Sequence, residues 1–232
     1  MYKNAMKFIA LVACVGFVNP LRGADESKPY DTFGHHAAIR LVCIGDSITQ
    51  AGGYVAGLQT ALGKPWEVTN FGVSGATLLK KGDKPYSRLA QYAQALQRKP
   101  DVATIALGTN DSKPQNWSHK EEFEADYKSI IEGLKKANHN VVIYCCVPPP
   151  AAGNKWGING AIIKDEVAPL VRKVAKETSC YVIDLQEPLT GKNCLADGVH
   201  PNGEGHKLMA AAIYKALTGK PIPAGPPPAV AK

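Results

Sequence analysis

Residues 41–50, with the sequence LVCIGDSITQ, decide the predicted fold and carry the first candidate functional residue. The stretch begins with four apolar residues, which is typical of a strand buried on both faces of a parallel sheet. It then stops at Gly45-Asp46-Ser47, and open α/β sheets bind ligands at the carboxyl ends of their strands. Ser47 is therefore a candidate nucleophile, although Asp46, Ser47 and Thr49 are equally suited to capping the next helix.

Outward from this stretch, apolar runs alternate with stretches of helical periodicity along the chain. The runs span residues 39–44, 66–71, 102–107, 141–147 and 181–185, and the helical stretches span 53–62, 86–98, 120–137, 159–178 and 203–217. Five strand–helix units in succession predict a parallel sheet with helices on both faces. We expect an α/β fold, a three-layer α/β/α sandwich with a five-stranded parallel sheet.

The first 23 residues have the composition of an export signal. Lys3 and Lys7 precede an apolar run at 8–18, which is too short to span a bilayer as a helix. We expect cleavage after Gly23 or Ala24 and a periplasmic or secreted protein. A lipoprotein signal with Cys14 as the lipidated residue is the alternative.

We expect the chain to divide into four segments. They are a signal peptide at 1–23, a polar lead-in at 24–36, one domain at 37–219, and a Pro-rich tail at 220–232 that we expect to be disordered. A chain of 232 residues is too short for two ordinary domains with linkers.

Composition excludes several functional classes. The 45% hydrophobic and 20% charged content is ordinary for a globular protein, and beyond the signal no transmembrane segment is expected. The net charge of +7 includes three cations of the signal, and the other lysines are interspersed with acidic residues, so no nucleic-acid partner is expected. No metal-type cysteine spacing occurs, so no metal site is expected. We interpret the cysteines as structural thiols and leave a Cys180–Cys194 disulfide open.

Polar blocks follow four of the predicted elements. They are Gly45-Asp46-Ser47, Asn-Phe-Gly-Val-Ser-Gly at 70–75, Gly-Thr-Asn-Asp at 108–111 and Asp-Gly-Val-His-Pro at 197–201. Because parallel strands end at the same edge of a sheet, residues of these blocks are expected to converge.

The converging residue types suit acyl transfer. Ser47 would attack a carbonyl, His200 would accept its proton, and Asp197 would orient the imidazole. The N–H groups of Ser47 and Gly72, with the side-chain amide of Asn110, would donate to the oxyanion. Structural alternatives are also open: Gly72 suits a turn, Asn110 a cap of the following segment, and Asp197 with its following glycine a turn. His200, which precedes a proline, could be a solvent-exposed loop histidine.

The four blocks resemble those of the SGNH hydrolases, the GDSL-type esterase and lipase family. Ser47, Gly72, Asn110 and His200 match the four positions that name the family, and Asp197 matches its acidic triad member. The resemblance implies a flavodoxin-like sandwich and hydrolysis of esters through an acyl-serine intermediate without a cofactor. It often implies removal of acetyl groups from carbohydrates. Ile48 departs from the leucine of the family name.

Two further segments, 108–117 and 155–160, are similar to segments of bacterial carbohydrate esterases. They contain Trp117 and Trp156, whose aromatic faces could pack against a sugar, or against the domain itself. We expect an esterase that removes short acyl groups, acetyl above all, from a carbohydrate or polysaccharide. The alternatives are a lysophospholipase or thioesterase with the same site, and a non-catalytic carbohydrate-binding protein on the same scaffold. The oligomeric state stays open.

Overall fold

The computed structural model describes residues 38–192 and 195–223. Five strands form one parallel sheet in the order β2-β1-β3-β4-β5. The strands are β1 (Ile39–Gly45), β2 (Trp66–Gly72), β3 (Val102–Ala106), β4 (Val142–Val147) and β5 (Tyr181–Asp184). The predicted fold class is confirmed, and the strand order is that of the flavodoxin-like sheets.

Eight α-helical segments accompany these strands in the described part of the chain. They are α1 (Ser47–Gln50), α2 (Gly53–Leu62), α3 (Ala90–Gln97), α4 (Pro114–Trp117), α5 (Phe123–Ala137), α6 (Gly160–Ile162), α7 (Ala168–Glu177) and α8 (Gly203–Thr218). None of the described helices is both long enough and apolar enough to cross a membrane.

The helices cover both faces of the sheet. Apolar residues of α3, α5 and α7 pack in one buried cluster with Val42 and Ile44 of β1. Those of α2 and α8 pack in a second cluster with Leu41 and Cys43. Alternate residues of β1 therefore enter opposite cores, which explains why its sequence is apolar throughout.

Two predicted helices are interrupted. The 86–98 stretch divides into a 3₁₀ turn (Tyr86–Arg88) and α3, because Leu89 between them is extended at φ −86° and ψ 149°. The 159–178 stretch contains a π-helical turn (Ile163–Val167) between α6 and α7. The apolar periodicity of the sequence predicts which face of each helix is buried, whereas the positions of these breaks depend on how the segments pack in the fold.

Several expectations fall on residues outside the described ranges. The signal peptide, the polar lead-in, most of the tail and Cys194 are among them. Of the tail, Ile222 is described and packs against the cluster that contains residues of α8. Cys43, Cys145, Cys146 and Cys180 are free thiols, three of them fully buried.

The sheet places the polar blocks at one edge. β1 lies between β2 and β3, so the order of the strands reverses at β1, where open α/β sheets form a crevice beyond the strand ends. Ser47 follows β1 and Asn110 follows β3. The candidate site is therefore built at this reversal.

Candidate active site

Ser47 and His200 are in hydrogen-bond contact although 153 residues separate them. Ser47 is the first residue of α1, directly after the turn that ends β1, and its Oγ lies 2.9 Å from His200 Nε2. The other ring nitrogen, Nδ1, lies 2.9 Å from Asp197 Oδ2. Because a carboxylate can only accept, Nδ1 carries the proton and Nε2 is left to accept from the Ser47 hydroxyl. This is the arrangement of an activated serine nucleophile.

Asp197 is held as a charged acceptor. Its Oδ1 accepts hydrogen bonds from the backbone N–H groups of Val199 and His200, at 3.0 and 2.8 Å. Burial acts to raise its pKa, but these donors and the imidazole outweigh it and hold the pKa of Asp197 well below its ordinary value. The carboxylate is therefore ionised at neutral pH.

Asp46 lies beside Ser47 but has another role. It is the N-cap of α1, and its Oδ1 accepts from the backbone N–H of Ile48 at 2.9 Å. Burial raises the pKa of Asp46 to about 6, and the bond from Ile48 opposes that rise. The two interpretations of residues 45–49, a helix cap and a candidate nucleophile, are therefore compatible: Asp46 caps α1, and Ser47 is the first residue of that helix.

Gly72 does not offer a free donor. Its N–H donates to Asn70 Oδ1 at 2.8 Å, and the amide of Asn70 donates to Thr49 O at 2.7 Å. A Cβ at Gly72 would collide with the backbone of Gln50. The N–H of Gly72 is therefore already bonded, its oxyanion role stays a prediction, and the glycine is needed because β2 ends against the backbone of α1.

Gly75, three residues further on, is a candidate donor that the sequence interpretation did not name. Ser74 N donates to Gln50 Oε1 at 2.8 Å, and Ala76 O accepts from Asn110 Nδ2 at 3.2 Å. Gly75 is thus held between α1 and Asn110, with φ at +77°. Its N–H finds no acceptor in the described part of the protein. The signal available in the sequence was a second glycine in the same block.

Asn110 keeps its predicted place. It opens the 3₁₀ turn that follows β3 and is 4% exposed. One of its two amide hydrogens is used by Ala76 O, and a primary amide has a second to donate. The Ser47 N–H also lies in the first turn of a helix, where it has no intrahelical acceptor.

The two predicted tryptophans have different environments. Trp117 is 6% exposed, packs edge-on against Phe123 at 5.5 Å between ring centroids, and donates from Nε1 to Glu166 at 3.0 Å. The ring of Trp117 is therefore part of the core, and this position does not favour the predicted contact with substrate. The aromatic face of Trp117, which the sequence suggested could pack against a sugar, packs against the domain itself.

Trp156 lies at the site. It is 54% exposed, and its ring centroid is 5.2 Å from that of His200 in an edge-to-face arrangement. Lys155 Nζ lies 4.5 Å from the same indole ring. The backbone of Trp156 is left-handed at φ 54°, an uncommon conformation for a bulky residue that is often found at functional sites.

The site is open to solvent. The side chains of His200 and Asp197 are 31% and 23% exposed. The triad therefore lies at the surface, where a bulky ester can reach it. Among the described residues, no group of three or more His, Cys, Asp or Glu side chains is placed to hold a metal ion.

Comparison with known proteins gives a consistent result. The profile of the GDSL-like lipase/acylhydrolase family matches residues 43–208. An acetylxylan esterase of Xylanibacter ruminicola is 41% identical over an alignment of 207 residues that covers 78% of this chain and 43% of that protein. A multidomain esterase of Ruminococcus flavefaciens is 27% identical over 52% of this chain and 16% of its own length. The chain thus spans less than half the length of these curated relatives.

Solved structures with the same fold include two acetylxylan esterases. The acetyl xylan esterase AlAXEase superimposes with a TM-score of 0.61 at 25% identity, over 77% of this chain and 99% of that one. A catalytic mutant of Axe2 from Geobacillus stearothermophilus superimposes with a TM-score of 0.59 at 25% identity, over 79% and 96%.

Proposed function

Because the chain belongs to the GDSL-like lipase/acylhydrolase family, we propose that it is a serine esterase that removes acetyl groups from a carbohydrate. The observation that carries the proposal is the hydrogen-bonded series from Ser47 Oγ through the His200 imidazole to the Asp197 carboxylate. A binding protein would have no need of this series, so its presence argues against the non-catalytic alternative.

In the first half of the reaction, Ser47 Oγ attacks the acetyl carbonyl carbon while His200 Nε2 takes the hydroxyl proton. The charge that develops on the carbonyl oxygen is met by the N–H groups of Ser47 and Gly75 and by the Asn110 amide. The C–O bond to the sugar then breaks, and His200 returns the proton to the sugar oxygen. The products at this stage are the deacetylated sugar and acetyl-Ser47.

In the second half, a water molecule attacks the acetyl carbonyl and gives a proton to His200. The same donors stabilise the second tetrahedral intermediate. Its collapse releases acetate and returns the proton to Ser47 Oγ. Asp197 stays ionised throughout and stabilises the imidazolium in each half, which its lowered pKa supports.

A carbohydrate substrate is supported by three observations. The relatives named above are acetylxylan and multidomain esterases, the triad is open at the surface, and an exposed indole, Trp156, lies next to His200. We propose acetylated xylan or a similar polysaccharide as the substrate class, with Trp156 packing against a sugar ring. A polymer outside the cytoplasm also fits the export signal that the composition of residues 1–23 indicates.

The test measures acetate release from acetylated xylan, pectin and acetylated sialic acid by the wild type and by Ser47→Ala. We expect release from at least one polymer and none above background with the variant. Hydrolysis of p-nitrophenyl acetate beside the palmitate ester checks acyl length. A preference for palmitate would move the function to lipids, and equal rates for wild type and Ser47→Ala would overturn the esterase proposal.

A further inference from the structure

Besides the Ser47 N–H, the proposed oxyanion site has two donors, the Gly75 N–H and the Asn110 side-chain amide. These two donors lie on different loops. Gly75 belongs to the connection between β2 and α3, and Asn110 to the connection after β3. No helix or strand spans residues 73–85, apart from an isolated bridge between Thr77 and Pro85. The relative position of the two donors therefore depends on side-chain contacts between the loops.

Asp111 is the side chain that joins the loops. It follows Asn110 in the same 3₁₀ turn, is fully buried, and uses both carboxylate oxygens. Oδ2 accepts from Leu78 N at 2.9 Å and Oδ1 from Leu79 N at 2.8 Å. Two parallel bonds to consecutive amides fix orientation as well as distance, which a single bond would not do.

Asn110 is restrained from two further directions. Its side chain donates to Ala76 O at 3.2 Å, and its own carbonyl accepts from Asn116 Nδ2 at 2.8 Å. Gly75 thus lies one residue before a carbonyl held by Asn110 and three residues before an amide held by Asp111. Consecutive residues of one turn therefore hold the glycine loop at Ala76 and at Leu78–Leu79.

The choice of a carboxyl group at this place is costly. Burial raises the pKa of Asp111 to about 7, with the two amides opposing the rise and the charge of Asp46 adding to it. A neutral asparagine would lose less solvation free energy on burial, but it has only one acceptor oxygen for two N–H groups. Carboxyl groups whose pKa values are shifted by burial cluster at functional sites.

We propose that Asp111 is a positioning residue that sets the distance between the Gly75 N–H and the Asn110 side chain, so that both reach the same oxyanion. This inference rests on the proposed esterase function. It assigns to Asp111 an effect on the transition state, through two other residues, without contact with the substrate.

The chain offers a matched control in Asp126. This aspartate of α5 is also buried, at 6% exposure, and anchors the same loop two residues beyond Leu78, where its Oδ2 accepts from Lys80 N at 2.8 Å. Lys80, whose N–H Asp126 binds, follows Leu79 in the sequence and so lies outside the segment that contains the Gly75 donor. Asp126→Asn therefore disturbs the loop without touching the segment between Gly75 and Leu79.

The experiment measures kcat and KM for p-nitrophenyl acetate with wild type, Asp111→Asn, Asp111→Glu and Asp126→Asn. Active sites are titrated with an aryl methylphosphonate, from which Ser47 Oγ displaces the aryloxide, so that rates refer to folded enzyme alone. We expect kcat of both Asp111 variants to fall roughly 10- to 100-fold with KM within about twofold, because misplaced donors weaken the transition state and leave substrate binding unchanged. For Asp126→Asn we expect wild-type kcat.

A second readout separates positioning from stability. A boronic acid that forms a tetrahedral adduct with Ser47 should bind the Asp111 variants more weakly by the same factor as the loss in kcat/KM. Wild-type kcat per titrated site in Asp111→Asn, or an equal loss in Asp126→Asn, would overturn the inference while leaving the esterase function intact. A wild type without esterase activity would overturn both.

Discussion

Asp197 binds His200 twice, through the ring and through the backbone: Oδ2 lies 2.9 Å from Nδ1, and Oδ1 accepts from the His200 N–H at 2.8 Å. The backbone bond places the residue, and the ring bond sets the tautomer. Only three positions separate the two residues, so a single turn performs both tasks.

Replacing Asp197 with Asn is expected to lower kcat by about 10³- to 10⁴-fold. The amide oxygen can still accept from the backbone, but the NH₂ group would face Nδ1 and move the imidazole proton to Nε2. His200 could then no longer accept the Ser47 proton. Steady-state kinetics with p-nitrophenyl acetate check this.

The control for this variant is Asp101→Asn, which loses its ion pair with Arg40 far from the triad. It should retain wild-type kcat. A loss below tenfold in Asp197→Asn would show that Asp197 does not set the tautomer.

Trp156→Ala is expected to weaken binding of a sugar substrate more than turnover. An aromatic contact contributes about 0.5 to 1.5 kcal/mol, so KM for an acetylated xylo-oligosaccharide should rise roughly 2- to 10-fold. Ethyl acetate, which has no ring to contact, should be hydrolysed with nearly unchanged KM in a pH-stat assay. Trp156→Phe, which keeps an aromatic face, should lie close to the wild type. Equal effects on both esters would remove Trp156 from sugar binding.

Gly72→Ala is expected to destabilise the fold by about 1 to 3 kcal/mol or more, because its Cβ would collide with the backbone of α1. Urea unfolding measures the change. Gly57→Ala is the control, since its Cβ would be 3.4 Å from that of Ala210 and alanine favours the helix in which it lies. Unchanged stability in Gly72→Ala would show that the close contact between β2 and α1 does not require a glycine.

The free energy of unfolding is expected to fall between pH 5 and pH 8. Burial raises the pKa of Asp111 to about 7, well above the ordinary value of 3.8, so the folded protein binds this proton more tightly than the unfolded chain. That contribution is complete below about pH 4 and is lost as pH rises through the folded pKa. Asp46, with its pKa raised to about 6, acts in the same direction.

Asp111→Asn removes one of these titrations, so its free energy of unfolding should vary less between pH 5 and pH 8 than that of the wild type. Urea unfolding of both proteins at the two pH values provides the comparison. The hydrogen bonds from Leu78 and Leu79 favour the ionised carboxylate and are part of this titration, so the comparison uses the change in free energy between the two pH values and not the absolute stability of either protein. Parallel pH dependences would show that Asp111 does not titrate in this range.

Local sequence determined the fold and was enough to name the candidate triad. The apolar run before Gly45 and the recurring strand–helix pattern are local consequences of burial, and they sufficed for the sheet and its helices. The strand ends of a parallel sheet converge whatever the loops do, so Ser47, Asp197 and His200 could be brought to one edge from their order alone.

Tertiary structure alone decided which neighbours of these residues lie at the site with groups free to act. Gly72 and Gly75 stand in the same block, but the Asn70 side chain, held by Thr49 O, accepts from the N–H of Gly72, whereas no described residue accepts from that of Gly75. Trp117 and Trp156 likewise both follow strands, yet one ring is buried against Phe123 and the other lies beside His200. The direction of a side chain or an N–H group depends on contacts between segments distant in sequence, and these form only when the chain is folded.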